Sequence, residues 1–435
     1  MRSVWHEDRE ALPSFEKLDR NEKTEVLIVG GGIAGLLTAY FLQQNGVKYL
    51  LVEKDRICSG VTQNTTAKIT YAHGLIYEKL LKTKGFNIAQ GYLMANKEAC
   101  DKYYELCRDI DCDYEIKDNF TYSLSDVGKI EGEIASVGVL GGKADFCQRL
   151  PLPFDTVGAV RIKNQAQFNP IKFLSHIAKG LNVKENTRVV AIDGNRAYTD
   201  FGHIDAEKTV VATHFPIINK HGGFFIKNYQ YRSYVLAFEN AEDPNGMYLD
   251  EDAGGLSFRS YKNCLLLGGG GHRTGKTGGG YELLREFAAM HYPKAIEKYN
   301  WATQDCMTLD GMSYVGYYSK NTPDLYVASG FNKWGMSGSM LSAILLSDML
   351  CGRKNQYEEV FDPSRSILKP QLLINGIETV SNFLRPTAPR CSHLGCALKW
   401  NKYEHSWDCP CHGSRFSENG NVIDTPAIKS LKKKH

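Results

Sequence analysis

Glu25-Val-Leu-Ile-Val-Gly30-Gly31-Gly32-Ile33-Ala34-Gly35 runs an unbroken apolar segment straight into a glycine-rich turn. A continuous apolar run of this kind reads as a strand buried on both faces, as in a parallel sheet. Residues Leu36 to Asn45 follow with helical character and stop at Gly46. Lys48-Tyr-Leu-Leu-Val-Glu53 then supplies a second strand, whose final acid stands 23 positions after Gly30. In such a unit Gly30 permits the tight turn, Gly32 lets the backbone approach a pyrophosphate, and Gly35 allows helix and strand to pack closely. The helix N-terminus faces the phosphates, and Glu53 is placed for a ribose hydroxyl. A GxGxxG alone is weak, since a glycine-rich turn can bind nothing. Here strand, helix, second strand and acid agree, which is the context that gives the motif meaning. The expectation is an α/β chain with a dinucleotide site near its N-terminus.

The other end of the chain carries a second pattern, Cys391-Ser-His393-Leu-Gly-Cys396 answered by Cys409-Pro-Cys411-His412-Gly-Ser414. As ligands these give C-x-H and C-x-x-H, with 15 residues between His393 and Cys409. Cys391, His393, Cys409 and His412 in that order suit a [2Fe–2S] cluster with thiolates on one iron and imidazoles on the other. A structural zinc site is the alternative, because Cys and His at short spacings also build tetrahedral centres. Zinc fingers usually pair Cys with Cys and His with His, which favours the cluster. The pattern resembles the Rieske iron–sulfur motif, in the branch with one extra cysteine in each loop. That resemblance implies a disulfide between Cys396 and Cys411 tying the two loops together.

At 435 residues the chain exceeds one average domain and is long enough to bury substantial cores. Its net charge of +3 is spread along the sequence, so no nucleic-acid partner is implied. The short basic tail Lys432-Lys433-Lys434 reads as a solvated end. No apolar run reaches the length of a transmembrane helix, and the N-terminus lacks the apolar core of a signal peptide. The expectation is a cytoplasmic protein without a transmembrane anchor. Of the 12 cysteines four lie in the C-terminal pattern; the scattered remainder should stay reduced and pack as small hydrophobes. A reducing compartment works against the Cys396–Cys411 disulfide, which would persist only if buried or low in potential.

The glycine motif does not by itself separate FAD from NAD. Further segments resemble the D-amino-acid oxidase family of FAD-dependent oxidoreductases, in a bacterial subgroup with a C-terminal Rieske domain. Cys58 to Thr70 looks like the family's loop alongside the flavin, Glu185 to Val190 like its adenine-contacting strand, and Thr209 to Pro216 like its second dinucleotide strand and turn. Trp301 to Asp310 and Gly330-Phe-Asn-Lys-Trp-Gly335-Met336 resemble its C-terminal flavin segments. The likeness spans about residues 20–352, with Ser313 where relatives usually carry proline. Besides Gly30, Gly32, Gly35 and Glu53, it implies FAD contacts at Ile33, Ala34, Lys54, Thr65, Thr66, Val189, Ala212, Thr213, Gly330, Gly335 and Met336.

The resemblance also implies a Rossmann-like FAD domain (about 20–95, 155–215 and 320–352) interleaved with an α+β substrate domain (about 96–154 and 216–319). A linker at 353–389 and a short all-β Rieske lobe at 390–435 would follow. Gly268-Gly-Gly-Gly-His272-Arg273 reads as a flexible loop, because no P-loop Lys-Ser/Thr follows it. Leu373, Ile377, Val380 and Leu384 recur at helical spacing. The polar side of that helix is poor in Lys and Arg, so its apolar stripe is expected to dock on the protein rather than on a membrane surface.

The lobe departs from its relatives. No strand-rich segment precedes Cys391, and some 45 residues approach the lower limit for a self-supporting core. The lobe should therefore lean on the flavin domain and on its metal. Ser414 matches a residue whose hydroxyl donates to a cluster sulfur in high-potential relatives. Phe416 stands where those relatives have a donating tyrosine, which implies a potential below the top of the roughly −150 to +300 mV Rieske range. The combined expectation is an enzyme exchanging two electrons between FAD and a small amine or amino acid, and single electrons between the cluster and a donor or acceptor protein. The alternative is an electron-transfer or redox-sensing module with no organic substrate. His73, Arg259 and Lys333 sit in segments expected near the flavin, and no catalytic residue is assigned.

Overall fold

The computed structural model describes residues 2–252, 255–386 and 389–432, so Lys433 and Lys434 of the basic tail lie outside the described residues. Three sheets organise the described residues. The first is eight-stranded and built around Glu22–Val29, which pairs in parallel with Tyr49–Val52 on one side and His203–Val211 on the other. Val26 to Val29 are buried, as the apolar run requires. Helix Ile33–Gln44 is buried around most of its circumference because it packs against helix Gly335–Leu350 as well as the sheet. The small residues Gly335, Ser337, Gly338, Ser339 and Ser342 start that second helix and suit close approach.

The second sheet has nine strands and is mainly antiparallel. Its longest strands, Asn228–Glu239 and Ile296–Thr308, pair across nearly their whole length. Three strands shift the division expected from the sequence, the shortest being Lys68–Ile69, which pairs with Gly158–Gln167 in the second sheet. Gly158–Gln167 joins the second sheet, because it pairs over most of its length with Glu115–Ser123. Tyr314–Tyr317 joins the first, folding back antiparallel on Leu325–Ser329. The glycine run is also not a loop: it lies inside strand Cys264–Arg273, paired with Asn228–Glu239. Gly271 there leaves room for the Tyr231 ring and the Arg232 carbonyl, which an added Cβ would meet at 2.6 and 2.9 Å.

The third sheet is a four-stranded antiparallel meander, Lys399–Asn401, Ser406–Asp408, Arg415–Ser417 and Val422–Asp424, over a small core with Cys391, Cys409 and Phe416. Its cluster loops press against the second sheet. Gln230 Nε2 donates to the Thr425 carbonyl, Gln304 Nε2 to the Gly413 carbonyl (both 2.9 Å), and Arg273 to the carbonyls of Pro410 and Cys411. The lobe leans on the body as its small size demands.

Helix Pro370–Phe383 docks the other way round from the expectation. Asn375 and Asn382 are buried, while Leu373, Ile377 and Leu384 are 72, 68 and 72 % exposed. The surface beneath is polar. Asn375 Oδ1 accepts from Arg273 Nη1 at 2.8 Å, and its amide reaches the Ile226 carbonyl. An apolar stripe laid there would leave these groups unpaired, which costs more than exposing leucines. Among the described residues no helix is long and apolar enough to cross a membrane.

Candidate functional site

A cavity of about 930 Å³ lies between the first two sheets and reaches the C-terminal lobe. Its floor is the glycine turn: Gly30, Gly32, Ile33 and Ala34 line it. Gly30 has φ +115°, and a Cβ there would meet the Ala212 carbonyl oxygen at 2.5 Å, so only glycine fits. Glu53, Lys54, Thr65, Thr66, Val189, Ala212, Thr213, Gly335 and Met336 also line the cavity. Gly35 and Gly330 do not. An added Cβ at Gly35 would strike the Gly30 carbonyl, and Gly330 turns the chain at φ +71° against Thr308. Glu53 accepts from Gly31 N at 2.7 Å and from Asp55 N at 3.0 Å, which fixes the acid against the turn. The open glycine cradle at a helix N-terminus, with an acid beside it, fits a dinucleotide such as FAD.

Of the three uncommitted side chains, only Lys333 lines the cavity. His73 is buried among Tyr92, Thr70 and Ser337 and stacks on Trp334. Burial holds it neutral, with its pKa down to about 3. Arg259 donates to the carbonyls of Thr66 and Ala67, bracing the loop that carries Thr65 and Thr66. Lys333 sits with its Nζ 4.3 Å from the Tyr231 ring centre, and Asp305 faces Tyr231 across the strand pair. Burial raises the Asp305 carboxyl to about 6, against the opposing pull of Lys333 and Arg232. Lys68, also on the wall, is lowered to about 7 by burial and then by Arg259. Asp305 and Lys68 escaped the sequence reading because isolated charges on strands carry no spacing signal.

The lobe closes one side of the cavity with Glu404, Arg415, Asp424 and Thr425. Arg415 is buried and holds Asp408 (2.9 Å), Asp424 (3.1 Å) and Glu404 (2.8 Å). Burial lowers its pKa, but these three acids more than offset that and hold it above its ordinary value. Arg232 of the second sheet reaches the same Glu404 through a paired contact.

Beyond that wall the two loops set Cys391 beside Cys409 and His393 beside His412. Cys396 and Cys411 are joined by a disulfide. These two sulfurs also lie close to Cys409, but a disulfide removes them as thiolate ligands. The Cys391 thiol is pulled down, first by its hydrogen bond with Cys409, while Cys409 is pushed up by the same contact. The His393 and His412 rings stand 5.1 Å apart, and each Nδ1 is buried without a hydrogen-bond partner. Burial lowers both imidazoles, to about 4 and about 3, which keeps them in the neutral form a metal ligand needs. Two facing thiols and two neutral imidazoles with orphaned nitrogens fit a [2Fe–2S] cluster of the Rieske kind.

The family model described as FAD dependent oxidoreductase matches residues 25–349, and that of the Rieske [2Fe-2S] domain matches residues 365–434. The putative Rieske 2Fe-2S iron-sulfur protein YhfW of Bacillus subtilis (strain 168) is 35 % identical over 97 % of this chain and 95 % of its own length. Glycine oxidase from Geobacillus kaustophilus shares the fold with a TM-score of 0.67 at 18 % identity, covering 80 % of this chain and 100 % of that one. L-proline dehydrogenase from P. horikoshii gives 0.66 at 19 %, covering 79 % and 98 %. The chain belongs to the FAD dependent oxidoreductase family typified by D-amino-acid oxidase and carries a C-terminal Rieske domain, so that its cofactors are FAD and a [2Fe–2S] cluster.

Proposed function

We propose that this enzyme oxidises a small amine or amino acid in the cavity and releases the two electrons singly, through the Rieske lobe, to an electron-accepting protein. Bound FAD supplies the two-electron acceptor and the [2Fe–2S] cluster the one-electron exit. The observation that carries the reading is Gln304, which lines the cavity and donates to the carbonyl of Gly413, the neighbour of His412. One side chain thus separates substrate space from the cluster loop.

The chain's own groups suit a substrate with a basic nitrogen. Asp305 offers a carboxylate above about pH 6 and takes the proton that an ammonium must shed before oxidation. Lys333, held over the Tyr231 ring, orients the substrate's acidic end. The lobe's Glu404 and Arg415 exclude water from the inner wall. The test is anaerobic mixing of the purified protein with a panel of amines and amino acids. Flavin absorbance should bleach with the active compound, and the EPR signal of the reduced cluster should follow in the same sample. Bleaching by none of the panel, with the cluster reducible only by dithionite, would sink the proposal.

A further inference from the structure

Helix Pro370–Phe383 turns an apolar face outward. Leu373, Ile374, Ile377, Val380, Phe383 and Leu384 are all exposed along it. At about 1.5 Å per residue the helix presents a ridge roughly 20 Å long. The stripe continues to the cluster, because an added Cβ on Gly395 would sit 3.7 Å from the Phe383 ring and the exposed Leu394 adjoins His393. Contiguous exposed apolar surface of this kind marks an interaction site.

Charge identifies what covers it. Between Ser366 and Trp400 the chain carries Lys369, Arg385, Arg390 and Lys399 against one acid, Glu378. Glu378 is turned to the protein side, where it meets Lys276 and Asn382. Arg390 caps the helix end by donating to the carbonyls of Phe383 and Gly395. An aliphatic ridge bracketed by unneutralised cations matches the acyl boundary and anionic headgroups of a lipid surface. Protein-binding sites draw instead on tryptophan, tyrosine and arginine anchors, with leucine and valine under-represented.

We infer that helix Pro370–Phe383 seats the protein on an anionic phospholipid surface, lying in the interface without crossing it, and so brings the His393 loop to the membrane. The helix is inverted relative to ordinary surface helices: its polar side is spent on the protein, leaving the apolar side to the lipid.

Flotation of the full-length holoprotein with vesicles tests this. Binding is expected to phosphatidylcholine vesicles containing phosphatidylglycerol, and to weaken with salt. The triple variant L373S/I377S/L384S should partition at least roughly tenfold less, with flavin and iron content and melting temperature unchanged because these side chains touch no core. K369Q/R385Q should lose the preference for anionic vesicles. Light scattering supplies the opposing outcomes. A wild-type dimer that the triple variant converts to monomer, without vesicle binding, assigns the ridge to a second copy and overturns the inference. Vesicle binding that the triple variant retains overturns it as well, as does no binding to any vesicle by a monomeric protein.

Discussion

Arg232 of the second sheet and Glu404 of the Rieske lobe form a paired ion contact, and Arg415 meets the same carboxylate from the other side at 2.8 Å. Side-chain exposures of 4 and 8 % take the Arg232–Glu404 pair out of the range where ion pairs count for little. Removing Arg232 leaves the buried Glu404 carboxylate to Arg415 alone. Arg232→Met should cost about 1.5–3 kcal/mol, read from denaturant unfolding. Arg232→Met/Glu404→Gln should cost less than the sum of the single changes, because the pair is then removed together.

Asp305 predicts opposite pH trends for stability and activity. Its folded pKa is raised to about 6 from 3.8, so between those values the folded chain holds a proton the unfolded chain has lost. Stability from this group is therefore present at low pH and declines as pH rises toward 6, on the order of 3 kcal/mol in all. On the proposed role, substrate oxidation rises as pH passes through about 6 and the carboxylate forms. Asp305→Asn should flatten the stability difference and lower kcat/KM by about 100-fold or more. An unchanged pH–rate profile in the variant would remove Asp305 from the proposed role.

Phe416 is wholly buried beside Cys391 and Cys409 and offers no donor. Phe416→Tyr should raise the cluster potential if its hydroxyl reaches a sulfur. A net hydrogen bond of ~1 kcal/mol corresponds to about 40 mV for one electron. An EPR-monitored redox titration reads the shift.

Gly30→Ala should empty the cavity of flavin. The added methyl meets the Ala212 carbonyl at 2.5 Å on a backbone at φ +115°, so the turn must move. Flavin absorbance per protein should fall by roughly tenfold or more, the equivalent of 1.4 kcal/mol. The iron content of the lobe should be spared.

What the sequence revealed was what short spacings encode. Gly30 to Glu53 spells out a strand, turn, helix and strand within one stretch, and Cys391 to His412 brings its ligand candidates together through two tight loops. Contacts between distant segments left no such trace. Nothing local marks Gln304 as the partner of Gly413, or Arg273 as the group that draws Asn375 inward. The periodicity of Leu373, Ile377, Val380 and Leu384 gave the helix but not its orientation. That is set by whichever surface lies beneath, and here the surface is polar. The glycine run at 268–271 read as a loop because its role is steric: Gly271, for one, makes room for Tyr231 and Arg232 in a neighbouring strand.

The cluster loops are stitched to the body by Gln230, Gln304 and Arg273, and the meander by Arg232. So anchored, the iron–sulfur head is a fixed terminal rather than a swinging courier. Its separation from the flavin is set when the chain folds, and internal transfer should be insensitive to solvent viscosity. Under the proposed function, any viscosity dependence in turnover then belongs to the meeting of this terminal with an outside electron carrier.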